Sequence, residues 1–366
     1  MKKTENQHQI KIALLVEKAQ KSGLFSHAHV LAGRNIDQTW QTLEVMTHPG
    51  LQASFDLASM TKALVTTPVV VNLLESLKLK IAAPLGEWSP RVNDALPHLA
   101  SISTLALLQH RSGLPSWRNF WVNHLNVADT PTLLAERHSH MTTCLRRISV
   151  DLSQKGQFNY SCVGFILLCL ACEWAHNKRF DEIFDDFVRV KLGDVAPPWD
   201  TLRFGKPGNQ IAHAVPTSFC QVRGRELVGE VHDENAAALG GISGNSGIFG
   251  TARQVFDFLR NLIATEFGGK LLAANGKFLD VSEDPLCGWR RGNGPSAAGI
   301  YDGLAMGHTG FTGTVFWVEP CGRGLGIVLT NRVISGRTSS ISAIQDFRRE
   351  VFAEIKLWDV AMNKGR

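Results

Sequence analysis

The chain has 366 residues, 44% hydrophobic and 19% charged, so it can bury a large core as one big domain or two lobes and is not a disordered segment. Its formal charge is +5, with Lys and Arg scattered among acidic residues and grouped at most in pairs, as in "LRRISV" and "WRRGNG", which argues against nucleic acid as the main partner. "VGFILLCLAC" from Val163 is too short to span a bilayer, and "MKKTENQHQIKIALLVEKAQ" lacks the unbroken apolar stretch of a secretory signal, so a cytoplasmic protein is expected.

In chain order, the first segment reads as an amphipathic helix with Ile10, Ile12, Leu14, Leu15 and Ala19 among its apolar positions. "HAHVLAGRN" and "TWQTLEVM" read as short strands around a turn. His27 and His29 would need a third ligand that the sequence does not offer, and no metal is assigned. "SMTKALVTTPVVVNLLESLKL" opens a helix at Ser59, and Pro68 inside it calls for a kink or an altered turn. From Ala82 to Asp233, helical patterns ("TPTLLAERHSHMTTCLRR", "SCVGFILLCLACEWAH", "FDEIFDDFVRVKL") alternate with loops rich in Pro, Gly and Trp. The seven cysteines show no framework spacing and are expected as free thiols; Cys169 and Cys172 lie in an apolar helical run and read as small buried side chains. "ALGGISGNSGIFGTARQVFDFLRNLI" leads into a helix, "GTVFWVEP" and "GLGIVLTNRV" alternate as adjacent strands around "PCGRG", and "SSISAIQDFRREVFAEIKLW" is helical. The pattern is α+β: a lobe with an antiparallel sheet from residues 1–81 and 234–366, an inserted mainly helical lobe at 82–233, and a cleft between them.

Three stretches carry chemistry. Ser59 and Lys62 stand at i and i+3, so on a helix the amine can reach the hydroxyl and activate it; the competing reading is a helix cap beside an exposed lysine. Tyr160, one of two tyrosines, stands in "GQFNYSCVGFILL", a loop entering an apolar helix, where a phenol near cations can serve as a base. In "MGHTGFTGTVFW", glycines 307, 310 and 313 precede a strand whose edge can offer an N–H to an oxyanion, and His308 and Thr309 are placed to touch a substrate carboxylate or carbonyl. Trp117 and Phe120 are candidates for a pocket wall. His232, Asp233 and Glu234 in "GEVHDEN" should alternate faces, giving a structural loop near the cleft with Asp233 or Asn235 lining it.

Taken in order, Ser59-x-x-Lys62, Tyr160-Ser161-Cys162 and His308-Thr309-Gly310 resemble the three signature elements of the serine β-lactamase and penicillin-binding-protein superfamily, closest to its class C-like branch of esterases, D-aminopeptidases and carboxypeptidases. "LLQHRSGLPSW", "RGRELVGEVHDENAAALGGISGNSGIFGTA" and "LTNRV" resemble further segments of that family, so the likeness runs from about residue 50 to 350. The resemblance implies a β-lactamase/transpeptidase-like fold and an acyl-enzyme on Ser59. It assigns shared acid–base work to Lys62 and Tyr160, and an oxyanion hole to the Ser59 and Phe311 amides. Substrate contacts would come from Cys162, His308, Thr309, Gly310 and Trp117, and no cofactor is implied. Cys162 stands where Asn or Asp is usual, so a contact to the substrate amide or the lysine is expected to be lost; His308 stands where Lys is common and would hold a carboxylate less firmly. Both favour an esterase or amidase acting on a small ester, amide or peptide. A D-amino-acid peptidase, a DD-carboxypeptidase or weak β-lactamase, and a non-catalytic binding protein on the same fold are the alternatives.

Overall fold

Two runs near the N-terminus form antiparallel strands β1 (Ala28–Ile36) and β2 (Thr39–Met46). They are joined by Asp37 and Gln38, both left-handed (φ +49° and +65°), the backbone that a two-residue hairpin needs to match the strand twist. The computed structural model describes residues 2–122, 133–193, 202–206, 211–277, 287–292, 298, 300–336 and 341–364. Near the other end lie β3 (Arg290–Arg291), β4 (Met306–Thr309), β5 (Val315–Val318) and β6 (Gly324–Thr330). The six strands form one antiparallel sheet in the order β2-β1-β6-β5-β4-β3, with β1 lying against β6 from Ala28 opposite Thr330 to Arg34 opposite Gly324. The sheet is thus built from both ends of the chain.

Strand alternation sorts its side chains onto two faces. Val30, Ala32 and Val328 pack under helices α1 (Lys2–Lys21) and α7 (Ile341–Lys364), with Ile12, Val16, Phe352 and Trp358. On α1 the buried positions are Ile12, Val16 and Ala19, whereas Ile10 and Leu14 face solvent, narrowing the apolar face expected from the sequence. Leu31, Ile327 and Leu329 point the other way, into the core shared with α2 (Thr67–Ser76), α4 (Cys162–His176), α5 (Phe180–Leu192) and α6 (Ala252–Ala264). Helix α3 (Leu134–Leu145) comes before α4; residues 130–132 and 339–340, expected at the starts of α3 and α7, lie outside the described residues.

Helix α4 is buried without a break from Val163 to Glu173, as a helix apolar on every side must be. Cys169 and Cys172 sit inside it, and burial pushes both thiols up. Glu173 pairs with Arg137 of α3 at 2.7 Å, both side chains fully buried; Arg137 also donates to the Leu239 and Ile242 carbonyls, tying two helices to the Gly-rich segment. At Pro68 the altered turn takes the form of a π-helical stretch, Lys62–Thr66, closed by the Thr67 N–H on the Lys62 carbonyl. Proline has no N–H for the Leu64 carbonyl and its ring would strike that oxygen, so the helix widens upstream.

Candidate active site

Residues 55 and 56 pair with residues 250 and 249, and the chain then turns sharply into the helix that carries Lys62. Ala58 sits at φ +48°, a left-handed conformation strained for alanine, and presents Ser59 at the turn. Asp56 holds the turn: its Oδ1 accepts the Ala58 N–H at 2.8 Å and its Oδ2 the His232 N–H at 2.7 Å. Burial raises the Asp56 pKa to about 6, although both N–H donors pull it down.

Lys62 is fully buried, and its Nζ donates to Ser59 Oγ at 3.0 Å and to the Asn245 carbonyl at 2.9 Å. Its Nζ lies 5.1 Å from the centroid of the Tyr160 ring. Burial opposes the ammonium charge, but Cys162, Tyr160 and Asp233 outweigh it and hold the Lys62 pKa above its ordinary value. The Asn245 carbonyl arrives on a segment packed so closely that a Cβ on Gly244 would come within 2.2 Å of the Phe165 carbonyl oxygen.

Tyr160 lies just ahead of α4, whose N-cap is Ser161; the Ser161 hydroxyl accepts the Gly164 N–H at 3.1 Å. His110, from "LLQHRSGLPSW", lies against the Tyr160 ring with centroids 4.4 Å apart. Its Nδ1 accepts the Ser161 N–H at 3.0 Å, and burial, then the charges of Lys62 and Arg290, lower its pKa to about 3. His110 is therefore neutral and protonated at Nε2. The Cys162 thiol, at the first residue of α4, is pushed up mainly by burial, with the Lys62 charge pulling it the other way.

The third element closes the site through the end of β4. A Cβ on Gly310 would meet the Leu57 carbonyl at 2.6 Å, so only glycine lets this strand end lie against the turn before Ser59. Thr312 Oγ1 donates to the Asp56 carbonyl at 2.6 Å and Thr314 Oγ1 to the Leu57 carbonyl at 3.2 Å, fastening the same contact. Among the described residues, neither Ser59 nor Phe311 spends its backbone N–H on a carbonyl. His308 points inward and is 1% exposed. Its Nδ1 donates to the Thr309 carbonyl at 2.7 Å, which leaves Nε2 as a buried acceptor without a partner. Burial, then Lys62 and Arg290, hold the His308 pKa well below its ordinary value.

A cavity of about 760 Å³ opens over Ser59, with Tyr160, Cys162, Thr309, Gly310, Phe311 and Trp117 on its wall and His308 behind it. Beside Trp117 the wall also carries Trp121, whereas Phe120, expected there, is in the core. His232, Asp233 and Glu234 all line the cavity, because the chain turns into a helix (Glu234–Ala238) capped by Asp233 and the alternation of an extended segment does not apply. Asn235 points away, accepting the Phe120 N–H at 2.9 Å. Sequence reasoning missed Asp56, His110 and the Asn245 carbonyl; of these, His110 had a signal, since it lies in a family-like segment.

Comparison with known proteins places the fold and the family. An N-acetylmuramyl-L-alanine amidase of Bacillus subtilis (strain 168) is 28% identical over 307 residues, spanning 76% of this chain and 68% of that protein. The D-amino acid amidase of Ochrobactrum anthropi SV3, solved with L-phenylalanine amide, superposes with a TM-score of 0.65 at 15% identity, over 96% of this chain and 99% of that one. EstCE1, a hydrolase with promiscuous acyltransferase activity, superposes with a TM-score of 0.62 at 16% identity, over 96% and 99% of the two chains. Among the described residues no helix is long and apolar enough to cross a membrane. With the beta-lactamase family profile matching residues 37–347, nearly the whole length that folds around Ser59, the chain belongs to the beta-lactamase family and is a serine hydrolase.

Proposed function

We propose that Ser59 is the nucleophile of an amidase or esterase that works through an acyl-enzyme on small amide, ester or peptide substrates. The observation that carries this reading is the 3.0 Å contact between Lys62 Nζ and Ser59 Oγ, with Nζ anchored from behind by the Asn245 carbonyl. As Ser59 Oγ bonds to the substrate carbonyl carbon, its proton passes into the Lys62–Tyr160 pair while the pair yields one of its own toward the leaving group, and the uncommitted N–H groups of Ser59 and Phe311 donate to the developing oxyanion. The bond to the leaving amine or alcohol breaks as that group takes the proton. Water then attacks the acyl carbon, gives its proton to the same pair, and Ser59 recovers its own as the acid departs. These steps need no cofactor. Trp117 and Trp121 supply an apolar wall for the acyl group.

The similarity to an amidase of 28% identity favours amide substrates, and the neutral His308 weighs against a strict D-Ala-D-Ala carboxypeptidase or an efficient β-lactamase. A D-amino-acid peptidase is the second reading, favoured by the fold likeness to a D-amino acid amidase. A panel of p-nitrophenyl esters, D- and L-amino-acid amides and a chromogenic cephalosporin, run on wild type and Ser59→Ala, decides among them. Hydrolysis that depends on Ser59 and is strongest on amides or esters is expected. Turnover of none of these, or equal turnover by Ser59→Ala, would instead indicate a non-catalytic binding protein or a misassigned nucleophile.

A further inference from the structure

The backbone carbonyl that anchors Lys62 belongs to a residue whose side chain is itself fastened at both ends. Asn245 is fully buried; its Oδ1 accepts the Ser243 hydroxyl at 2.7 Å and its Nδ2 donates to Asp233 Oδ2 at 3.1 Å. Ser243 is fully buried as well, and the Gly244 carbonyl between them accepts the hydroxyl of Thr66, from the same π-helical stretch as Lys62, at 2.7 Å. The other Asp233 oxygen, Oδ1, accepts the Ala236 N–H at 2.8 Å as the cap of the helix Glu234–Ala238. Both groups aimed at Asp233 are donors, so a carboxylate satisfies them together, whereas an amide would turn its NH2 on one of them. Asp233 lines the cavity, and Asn245, without exposed surface, joins it to Lys62. The titratable groups around Lys62 are Tyr160 and Cys162 at the start of α4, His110, His308 of β4 and Asp233. Both histidines are neutral, which leaves Asp233 as the carboxylate acting on the ammonium among the described residues. Asp233 in turn faces Lys62, Glu234, Asp56 and Cys162.

We infer that Asp233 and Asn245 are positioning residues for Lys62: the Asp233 carboxylate, acting through the Asn245 side chain, fixes the carbonyl that holds Nζ on Ser59 Oγ and supplies a counter-charge to the ammonium. A lysine ammonium on its four-carbon stem is otherwise free to swing, and two fixed acceptors, Ser59 Oγ at 3.0 Å and the Asn245 carbonyl at 2.9 Å, set its direction. The inference deepens the hydrolase reading and rests on it for the reaction, but the coupling of Asp233 to Lys62 does not depend on it.

The test reads kcat, KM and the pH profile of p-nitrophenyl acetate hydrolysis, with the Ser59→Ala rate subtracted and melting temperatures taken alongside. Asn245→Ala leaves the cavity lining in place and should lower kcat by about tenfold with KM within about twofold of wild type. Ser243→Ala loosens the same side chain without removing it and should lower kcat by about two- to threefold. In Asp233→Asn the ammonium gives up its proton more readily, so the acid limb of kcat/KM should move to lower pH by about half a unit or more, a shift that lost packing alone would not produce. A limb that stays in place in Asp233→Asn, or a kcat unchanged in Asn245→Ala and Ser243→Ala, overturns the assignment; should Asn245→Ala fail to fold, the other two variants decide. Should wild type show no Ser59-dependent hydrolysis, the hydrolase reading fails and 13C NMR of protein labelled at lysine Cε decides the positioning, the Lys62 resonance being assigned by its loss in Lys62→Met. Its titration should move to lower pH in Asp233→Asn, and an unmoved titration counts against the pair.

Discussion

Gly310→Ala tests the contact that brings β4 to the nucleophile. The new Cβ would lie 2.6 Å from the Leu57 carbonyl, 2.1 Å from Thr314 Oγ1 and 3.3 Å from the Ala58 Cβ. Ordinary contact begins at 3.4 Å, and Leu57 is backbone immediately before the turn, so the strand end carrying Phe311 must retreat by about 0.8 Å. The Thr314 hydroxyl must also leave the Leu57 carbonyl. A displacement of that order between nucleophile and oxyanion donor costs roughly a hundredfold in rate, and the overpacking roughly 1–3 kcal/mol of stability. The assay is kcat and KM on an activated ester, with melting temperature alongside; the fall should appear in kcat. Gly269→Ala, in a helix with nothing near its added methyl, is the control and should leave kcat and KM unchanged while stabilising by up to ~1 kcal/mol. If Gly310→Ala keeps kcat within twofold of wild type, the close approach of β4 to the turn has no part in catalysis.

Tyr160→Phe should reduce turnover by roughly a hundredfold or more with the fold intact, because it removes the hydroxyl from the proton pair; full activity would leave Lys62 as sufficient alone. Asp56 has a folded pKa of about 6, above the 3.8 of a free carboxyl, so the folded state takes up its proton first and its contribution to stability falls as pH rises from about 4 to 6. That fall, on the order of 3 kcal/mol if uncompensated, should be absent from thermal melts of Asp56→Asn across the same range, and an identical pH profile would exclude it. Glu173→Gln leaves the Arg137 charge buried and should cost about 3–5 kcal/mol in chemical denaturation; a loss below 1 kcal/mol would mean that the pair does not join α3 and α4 as described.

The family, the fold class and the three ordered motifs were legible because each leaves a side-chain signature: a serine and lysine one turn apart, a tyrosine before an apolar helix, glycines ahead of a strand. Pro68 announced a disturbed helix, although only the folded chain shows a π turn. The Asn245 carbonyl could not be read, since backbone groups are the same at every position and what selects this one is the close packing at Gly244. Asp56 was invisible for a related reason: its partners are the N–H groups of Ala58 and His232, the latter 176 positions away.

Intact-mass analysis after exposure to a serine-reactive phosphonate tests the central claim most directly. A single adduct mapping to Ser59 in wild type and absent from Ser59→Ala is the expected result; an unmodified wild type, or an equal adduct on both proteins, would contradict the assignment of Ser59 as nucleophile.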